Sequence, residues 1–259
     1  KAKTLKSYKL RATDGEIGKV KEFYFDDLHW VVRYLVADTG SWLTGRQVLI
    51  SPYALGVANN QTDLIGINLS KDQIENSPSL ETDKPVSLQF ETEYYGYYRW
   101  PAYWSGTGMW GAYPTISHDN LEKVEKVEKQ EQEKSWDPHL RSTNALTGYH
   151  IQANDGEIGH VSDFVIDDET WAIRYLIIDT TNWFGGKKVL ISPKWIDEIS
   201  WDESKVAINL SMEEIKQAPE YSAEELVTRD YETQLHRYYK RNVYWHENPK
   251  DRLHFKKRV

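Results

Sequence analysis

Residues 14–18 read DGEIG, and the same five letters return at residues 155–159, 141 residues further along the chain. The offset holds without a gap from Asp14 to Trp104, and 22 of the 39 positions between 14 and 52 are identical to their counterparts. Identity at this level over one long period indicates duplication of a whole domain.

Each copy opens with the strongest short signal for a β-hairpin. An Asp-Gly pair between apolar runs favours a tight turn, because glycine adopts positive φ at little cost. We therefore predict hairpin turns at Asp14-Gly15 and at Asp155-Gly156, with both glycines at positive φ.

The residues after each turn predict more strands. Apolar alternation slips between Val20 and Phe23, and one extra residue, a β-bulge, would point both side chains inward. WVVRYLVAD at 30–38 and WAIRYLIID at 171–179 are nearly continuous apolar runs, which indicates strands buried on much of both faces.

A short helix follows the strands in each copy. Ser70 with Gln73, and Ser211 with Glu214, form the pattern of a capping box. Five or more short strands in roughly 80 residues predict a small closed barrel. The expected fold is mainly β, with two tandem small barrels, short helices and aromatic-rich C-terminal extensions.

The repeat also predicts the domain boundaries. We expect a first barrel with its extension at 1–118, a charged linker at 119–141, and a second barrel with its extension at 142–259. The linker contains LEKVEKVEKQEQEK, in which Glu and Lys four residues apart favour a helix. Its narrow apolar stripe leaves two alternatives, a solvated helix and a flexible tether.

Composition argues against several classes of function. The formal net charge of −8 disfavours broad attraction to nucleic acid or anionic lipid. The absence of cysteine excludes disulfides and thiolate sites and fits the cytoplasm, the location we expect. No apolar run approaches the roughly 20 residues of a membrane helix, so we expect no membrane insertion.

The order of these motifs resembles the PRC-barrel domain, over about 5–80 and about 146–221. The residues that carry the resemblance are DGEIG, the paired aspartates, RYL and VLISP. Domains of this family fold as a small six-stranded β-barrel. They occur in the H subunit of the photosynthetic reaction centre and in the C-terminal part of ribosome-maturation factor M. The resemblance implies a docking or supporting surface rather than a catalytic centre.

The resemblance also implies two narrower roles. One is an auxiliary subunit that supports a membrane photosynthetic or redox complex, and the other is an assembly factor that binds a ribosomal protein. We keep both as alternatives to a binding or scaffolding protein whose protein partner is not specified. Only fold-determining positions match, so no functional residue is carried over.

No catalytic or cofactor-binding motif is found in the sequence. We therefore predict that the protein is not an enzyme and has no cofactor. The paired residues Asp26-Asp27 and Asp167-Asp168 could form acid–base pairs, but adjacent side chains on a strand or turn point apart, and aspartate favours turns.

Metal sites are also not expected. DGEIG resembles part of a calcium-binding EF-hand loop, but the ligand positions around the first copy hold Leu10, Ala12 and Lys21. The histidines of the second half lack metal-ligand spacing; they are His150, His160, His236, His246 and His254.

Two arginines interrupt the buried strands. A guanidinium that is buried requires an anionic or carbonyl partner. For Arg33 and Arg174 we predict structural ion pairs with Asp38 and Asp179, or with one of the paired aspartates. An anion-binding pocket is the alternative.

The extensions after the barrels repeat their aromatic residues. These rings either pack on the barrels or form a partner surface, since interfaces favour Tyr, Trp and Arg. Basic residues among the second set also permit single-stranded nucleic acid as a partner, which the acidic remainder disfavours. The candidate partner-binding residues are Tyr97, Tyr98, Trp104, Tyr238, Tyr239 and Trp245.

Overall fold

The structure is a computed structural model that describes most of the chain. The described residues are 1–44, 46–59, 61–81, 86–106, 108–111, 113–116, 140–182, 186–222 and 226–246. The linker helix or tether predicted at 119–141 therefore lies almost wholly outside the described residues.

Short strands make up most of the regular structure. The strands up to the linker are β1 (Lys9–Ala12), β2 (Gly15–Asp26), β3 (Val31–Asp38), β4 (Arg46–Ile50), β5 (Leu55–Asn59), β6 (Leu64–Ile67) and β7 (Leu80–Glu81). Those after it are β8 (Leu140–Ser142), β9 (His150–Ala153), β10 (Gly156–Ile166), β11 (Ile173–Asp179), β12 (Lys188–Ile191), β13 (Ile196–Ser200) and β14 (Lys205–Ile208).

The helices are few and short. They are α1 (Ala2–Leu5), α2 (Lys71–Glu75), α3 (Leu88–Tyr98), α4 (Thr143–Leu146), α5 (Met212–Gln217) and α6 (Arg229–Tyr238). The capping boxes predicted at the start of α2 and α5 are confirmed, because Ser70 and Ser211 each exchange hydrogen bonds with the third residue of the helix. Within the described ranges, no helix has the length and apolar character needed to cross a bilayer.

The strands form two sheets with the same internal order. The first runs β5-β6-β1-β2-β3-β4-β7, with β8 pairing β2, and the second runs β12-β11-β10-β9-β14-β13. The parallel pair β1–β6 has its counterpart in β9–β14. The prediction of a mainly β fold is confirmed. In a closed barrel the first strand of the order would pair with the last. No such pair is seen among the described strands, so the predicted closed barrel is not seen.

The long strand β2 bends where the sequence predicts. Its register with β3 shifts between Val20 and Glu22, so the predicted β-bulge is confirmed. As a result Val20 and Phe23 are both buried. All residues of β3 except the last are buried, which confirms a strand covered on both faces.

The repeated DGEIG hairpin also supports a helix. Gly15 pairs with Ala12 and has a φ of 155°, and Gly156 has the same φ. Asp14 Oδ1 accepts the backbone N–H of Lys71, the first residue of α2, at 2.9 Å. The corresponding bond in the second copy joins Asp155 to the first residue of α5 at 2.7 Å.

We expect Asp14→Ala to destabilise the protein by about 1 kcal/mol, because it leaves a helix N-terminal N–H without its acceptor. Urea unfolding of the full chain measures this loss. Thr13→Ala is the matched control, since Thr13 is the exposed neighbour in the same turn. Equal stability of the Asp14 variant and the control would show that the contact contributes nothing.

The chain folds into two compact units. The first unit is Lys1–Leu146 together with Asp163–Arg174, and the second is Thr147–Ser162 together with Tyr175–Val259. The hairpin Asp163–Arg174 thus belongs to the first unit, although its sequence lies in the second copy of the repeat. The predicted boundaries at 118 and 142 remain predictions.

Backbone hydrogen bonds hold this hairpin in the first unit. Val32 N–H donates to the carbonyl of Trp171 at 2.9 Å, and Ile173 N–H donates to the carbonyl of Trp30 at 2.7 Å. The two bonds are equivalent in the repeat, because the same offset relates Trp30 to Trp171 and Val32 to Ile173. Both tryptophans have left-handed φ angles, 57° and 59°, which bulky residues adopt only where their surroundings hold them.

Candidate functional site

Arg33 lies in the middle of β3 and is only 1 % exposed. Its Nη2 donates to Asp26 Oδ2 at 2.9 Å, and its Nη1 donates to the carbonyl of Met109 at 2.5 Å. The guanidinium carbon lies 3.9 Å from the centroid of the Tyr103 ring. The positive charge of Arg33 is thus paired with groups of the protein itself. This arrangement fits a structural ion pair better than an anion-binding pocket.

Asp26 accepts hydrogen bonds both from Arg33 and from the turn that follows β2. Burial alone would raise the pKa of Asp26, but hydrogen bonding from His29 and the charge of Arg33 hold that pKa well below its usual range. Its Oδ1 also accepts the backbone N–H of Leu28 at 2.8 Å. Asp26 is therefore a carboxylate at neutral pH, with its oxygens already bonded.

The carboxylates of the adjacent residues Asp26 and Asp27 contact different partners. Asp26 bonds Arg33, whereas Asp27 Oδ2 accepts from Arg141 Nε at 3.0 Å. In the second copy, Asp167 Oδ2 accepts from Nε and Nη2 of Arg174 at 2.9 and 2.8 Å. Separate partners for Asp26 and Asp27 favour a structural role over a shared acid–base role for that pair.

The other predicted ion-pair partners lie elsewhere. Asp38 Oδ2 is 3.6 Å from Lys19 Nζ, and both side chains are largely exposed. Asp179 Oδ1 accepts the N–H of Thr181 at 2.9 Å. Of the two options that the sequence left open, the paired aspartates and not these residues contact the two arginines.

A buried carboxylate on α3 was not singled out by the sequence. Glu91 is fully buried, and its Oε1 accepts the hydroxyls of Tyr34 and Tyr103 at 2.8 and 2.9 Å. Its Oε2 has no hydrogen-bond partner in the described part of the chain. Burial raises the pKa of Glu91 to about 7, although the two hydroxyls act in the opposite direction. We call Glu91, Tyr34 and Tyr103 the first carboxylate cluster.

The second unit contains a related cluster. Glu232 Oε1 accepts the hydroxyl of Tyr175 at 3.0 Å, and the same hydroxyl lies 2.9 Å from Nε2 of His236. The repeat relates Glu232 to Glu91 and Tyr175 to Tyr34. We call Glu232, Tyr175 and His236 the second carboxylate cluster.

One signal in the sequence could have found these clusters. The segments FETEYY and YETQLH differ at most positions but keep the same Glu-Thr pair. A carboxylate retained in a helix between buried aromatics indicates a buried polar contact. Our prediction considered the aromatic residues of these segments and, for a metal site, His236, and it did not identify helices α3 and α6.

Two of the candidate aromatic residues bridge the helices in the same way. Tyr97 donates to the carbonyl of Gln73 at 3.0 Å, and Tyr238 donates to the carbonyl of Glu214 at 2.7 Å. These acceptors are equivalent in the repeat, so each extension helix is bonded to the short helix before it. Tyr97 is 41 % exposed, and Tyr238 is half-buried.

The remaining candidates are less accessible. Tyr98 is half-buried and stacks on Trp100, with ring centroids 4.4 Å apart. Trp104 and Trp245 are also half-buried, and Tyr239 is buried. The six rings therefore do not form equally exposed sets, and Tyr97 is the most accessible of them.

Two of the histidines considered as metal ligands have other partners. His150 Nδ1 lies 2.9 Å from Glu157 Oε1, and His236 belongs to the second carboxylate cluster. Among the described residues, no three His, Cys, Asp or Glu side chains come together in a way that could hold a metal ion. His254 lies outside the described residues.

These features define a mainly β protein with two repeated sheets, each accompanied by an arginine–aspartate pair and by a buried glutamate on the helix of its extension. Residues 142–211 match the family model of the PRC-barrel domain, the family that the sequence resembles. A comparison with curated proteins finds no match. The domain match suggests a binding or scaffolding role.

Proposed function

We propose that the protein is a non-enzymatic binding or scaffolding protein built from two tandem PRC-type barrels, and that its partner is a protein. The observation that carries this proposal is a repeated contact in the extensions. A tyrosine on α3, and its counterpart on α6, donates a hydrogen bond to the short helix that precedes it, α2 or α5. In the first unit this is Tyr97, whose ring is partly exposed, and in the second it is Tyr238.

The buried polar groups support a role without catalysis. Arg33 and Asp26 bond one another and backbone groups, and Glu91 bonds two tyrosine hydroxyls. Groups that are fully buried and fixed in this way stabilise the fold and do not meet a substrate. The family match supports the same conclusion, because it suggests binding.

A protein partner fits the chemistry of the extensions. A tyrosine whose hydroxyl is already bonded loses little side-chain freedom on association, so its ring can contribute area at low entropic cost. The formal net charge of −8 disfavours nucleic acid. The cysteine-free composition supports a cytoplasmic location.

The test is a native pull-down with the full chain in which Tyr97 and Tyr238 are both changed to Ala. We expect recovery of the main partner to fall by about tenfold or more, because a few aromatic anchors carry most of the energy of an interface. The matched control changes both residues to Phe, which keeps the rings and removes only the hydroxyls, and it should retain the partner.

Melting temperatures separate the possible outcomes. If the Ala variant loses its partner while its melting temperature stays near that of the wild type, the tyrosines form the partner surface. If it keeps every partner, the surface lies elsewhere. The identity of the recovered protein separates the alternatives: ribosomal proteins would favour an assembly factor, and respiratory or photosynthetic components would favour an auxiliary subunit.

A further inference from the structure

Each extension helix is followed by a basic residue whose backbone is left-handed. Arg99 comes directly after α3 and has a φ of 58°, and Lys240 comes shortly after α6 and has a φ of 53°. The repeat relates these two positions, although most residues of the two helices differ. Both copies of the duplicated domain therefore place a basic side chain at the same unusual point of the backbone.

The same backbone hydrogen bonds hold both residues in this conformation. The N–H of Arg99 donates to the carbonyl of Gly96 at 3.3 Å, and the N–H of the next residue donates to the carbonyl of Tyr95 at 3.0 Å. The equivalent bonds, at 3.1 and 2.9 Å, are made by Lys240 to Arg237 and by Arg241 to His236. In this Schellman motif the left-handed residue is usually glycine, which has no Cβ to strain. A basic residue there has a conformational cost, which indicates a role for its side chain.

The charged ends of Arg99 and Lys240 are not used within the described parts of the chain. Both residues are exposed, and neither side chain forms a hydrogen bond, an ion pair or a ring contact there. Hydrogen bonds from Ser211 lower the pKa of Glu214, and the charges of Arg241 and Lys240 add a smaller effect. The Oε2 atom of Glu214 is already bonded to Ser211 at the start of α5. The two cations are therefore available to a partner.

The end of α6 carries more positive charge than the end of α3. Residues 96–100 read GYYRW, with one basic residue, and residues 237–241 read RYYKR, with three. Arg237 and Arg241 are exposed as well, and Arg241 Nη2 donates to the carbonyl of Asn209 at 3.1 Å. The formal net charge of the whole chain is −8. An anion is therefore attracted to the helix ends and repelled by the chain as a whole.

We propose that the two helix ends, residues 96–100 and 237–241, are carboxylate-recognition sites, and that the partner binds them with acidic segments. Arginine and lysine form charge-assisted hydrogen bonds with carboxylates, and these are stronger than bonds between neutral groups. Each helix end also contains one of the two tyrosines of the proposed partner surface, Tyr97 or Tyr238. The inference therefore rests on the proposed function and adds the charge of the partner to it.

An acidic protein segment fits these sites better than nucleic acid does. One to three cations at a helix end match a few aspartate or glutamate side chains. A nucleic acid strand carries a phosphate at every nucleotide, and its affinity comes from many phosphate contacts, which a chain of net charge −8 opposes. Because the end of α6 has three basic residues and the end of α3 has one, we expect the second site to bind carboxylates more tightly.

The experiment is an NMR titration of the amides of the full chain with a blocked oligoglutamate peptide. At a salt concentration of about 0.01 M, where screening is weak, we expect shift changes at the amides of 96–100 and 237–241. These changes should disappear at about 1 M salt, where charges are screened within a few ångströms. A single-stranded oligothymidylate of the same charge is the second probe, and we expect it to bind these amides more weakly.

Glycine variants separate recognition from folding. Arg99→Gly and Lys240→Gly remove the charge and supply the residue that the left-handed conformation favours, so the melting temperature should not fall. The affinity of the peptide for each changed site should fall by about fivefold, the effect of one favourable exposed ion pair. The matched control, Arg99→Lys with Lys240→Arg, keeps both charges and should retain the affinity.

Three results would overturn the proposal. They are an unchanged affinity in the glycine variants, a lower melting temperature of these variants, which would show that the basic side chains serve the fold, and tighter binding of the oligothymidylate at the same amides. The titration is independent of the pull-down. If the variant with both Tyr97 and Tyr238 changed to Ala loses its partner while the glycine variants keep their peptide affinity, the proposed function stands and only the charge of the partner is wrong.

Discussion

Replacing Arg33 by Met is expected to destabilise the first unit by about 3–5 kcal/mol, the largest effect of any single change we predict. Arg33 is 1 % exposed, and its removal leaves the buried carboxylate of Asp26 without its cationic partner. The Met109 carbonyl also loses its donor. Hydrogen exchange of the β3 amides reports the free energy of unfolding of this unit.

The matched control for this change is Arg174→Met, at the equivalent position. Arg174 and Asp167 are each 16 % exposed in their side chains, so water can solvate the carboxylate that remains. We expect its cost to be well below that of Arg33→Met. A double variant, Arg33→Met with Asp26→Asn, should be less destabilised than Arg33→Met alone, because it removes the unpaired charge. Equal costs at both arginines, or additive costs in the double variant, would contradict a buried ion pair.

The second large effect is a loss of stability with rising pH that depends on Glu91. Burial raises the pKa of Glu91 to about 7 from 4.5, so the folded state holds a proton that the unfolded chain has released. The stabilisation is fully present below pH 4.5 and is lost as the pH rises through about 7. The difference amounts to about 3 kcal/mol, at roughly 1.4 kcal/mol for each pH unit.

Glu91→Gln tests this dependence, because the amide keeps an oxygen for the tyrosine hydroxyls but has no proton to release. The free energy of unfolding of the first unit, measured from pH 4.5 to 8 by exchange of the β3 amides, should fall in the wild type relative to the variant. The gap between the two should open by about 3 kcal/mol over this range. Parallel curves would show that Glu91 is ionised in the folded protein throughout.

Local features were predictable from the sequence because their causes are local. The DGEIG turn follows from the backbone freedom of glycine, the bulge from the slip between Val20 and Phe23, and the caps from Ser70 and Ser211. Each depends on residues a few positions apart. The long period of the repeat allowed each prediction to be made twice, and the structure shows the same caps in both copies.

Tertiary features were not predictable in the same way. The sequence pattern cannot show that the hairpin Asp163–Arg174 joins the first unit, since this depends on hydrogen bonds between residues far apart in the chain. The first copy taken alone also does not show that Glu91 is buried, because a glutamate in a helix is solvated in most proteins, and only the return of the Glu-Thr pair in the second copy indicates it. For Arg33 the sequence indicated a buried partner but left its identity open between Asp38 and the paired aspartates.

The aromatic extensions show how far composition can predict a site. Because the rings recur, the sequence indicated that they have a role in both copies. The structure shows that part of this role is to make contacts within the protein. Tyr97 and Tyr238 bond the short helices, and Tyr239 is buried. Exposure depends on packing, so it could not be predicted for each ring, and the structure narrows the accessible candidates to Tyr97 and the half-buried rings.

Hydrogen exchange of the full chain, alone and with the protein recovered in the pull-down, tests the central claim most directly. If the protein binds its partner through the extensions, the amides of α3 and α6 should exchange more slowly in the complex than in the free chain. The amides of the turns at Asp26 and Asp167 should exchange at the same rate in both. Protection confined to those turns would place the partner on another surface. No protection at all, or recovery of no partner, would contradict the proposal that this protein functions by binding.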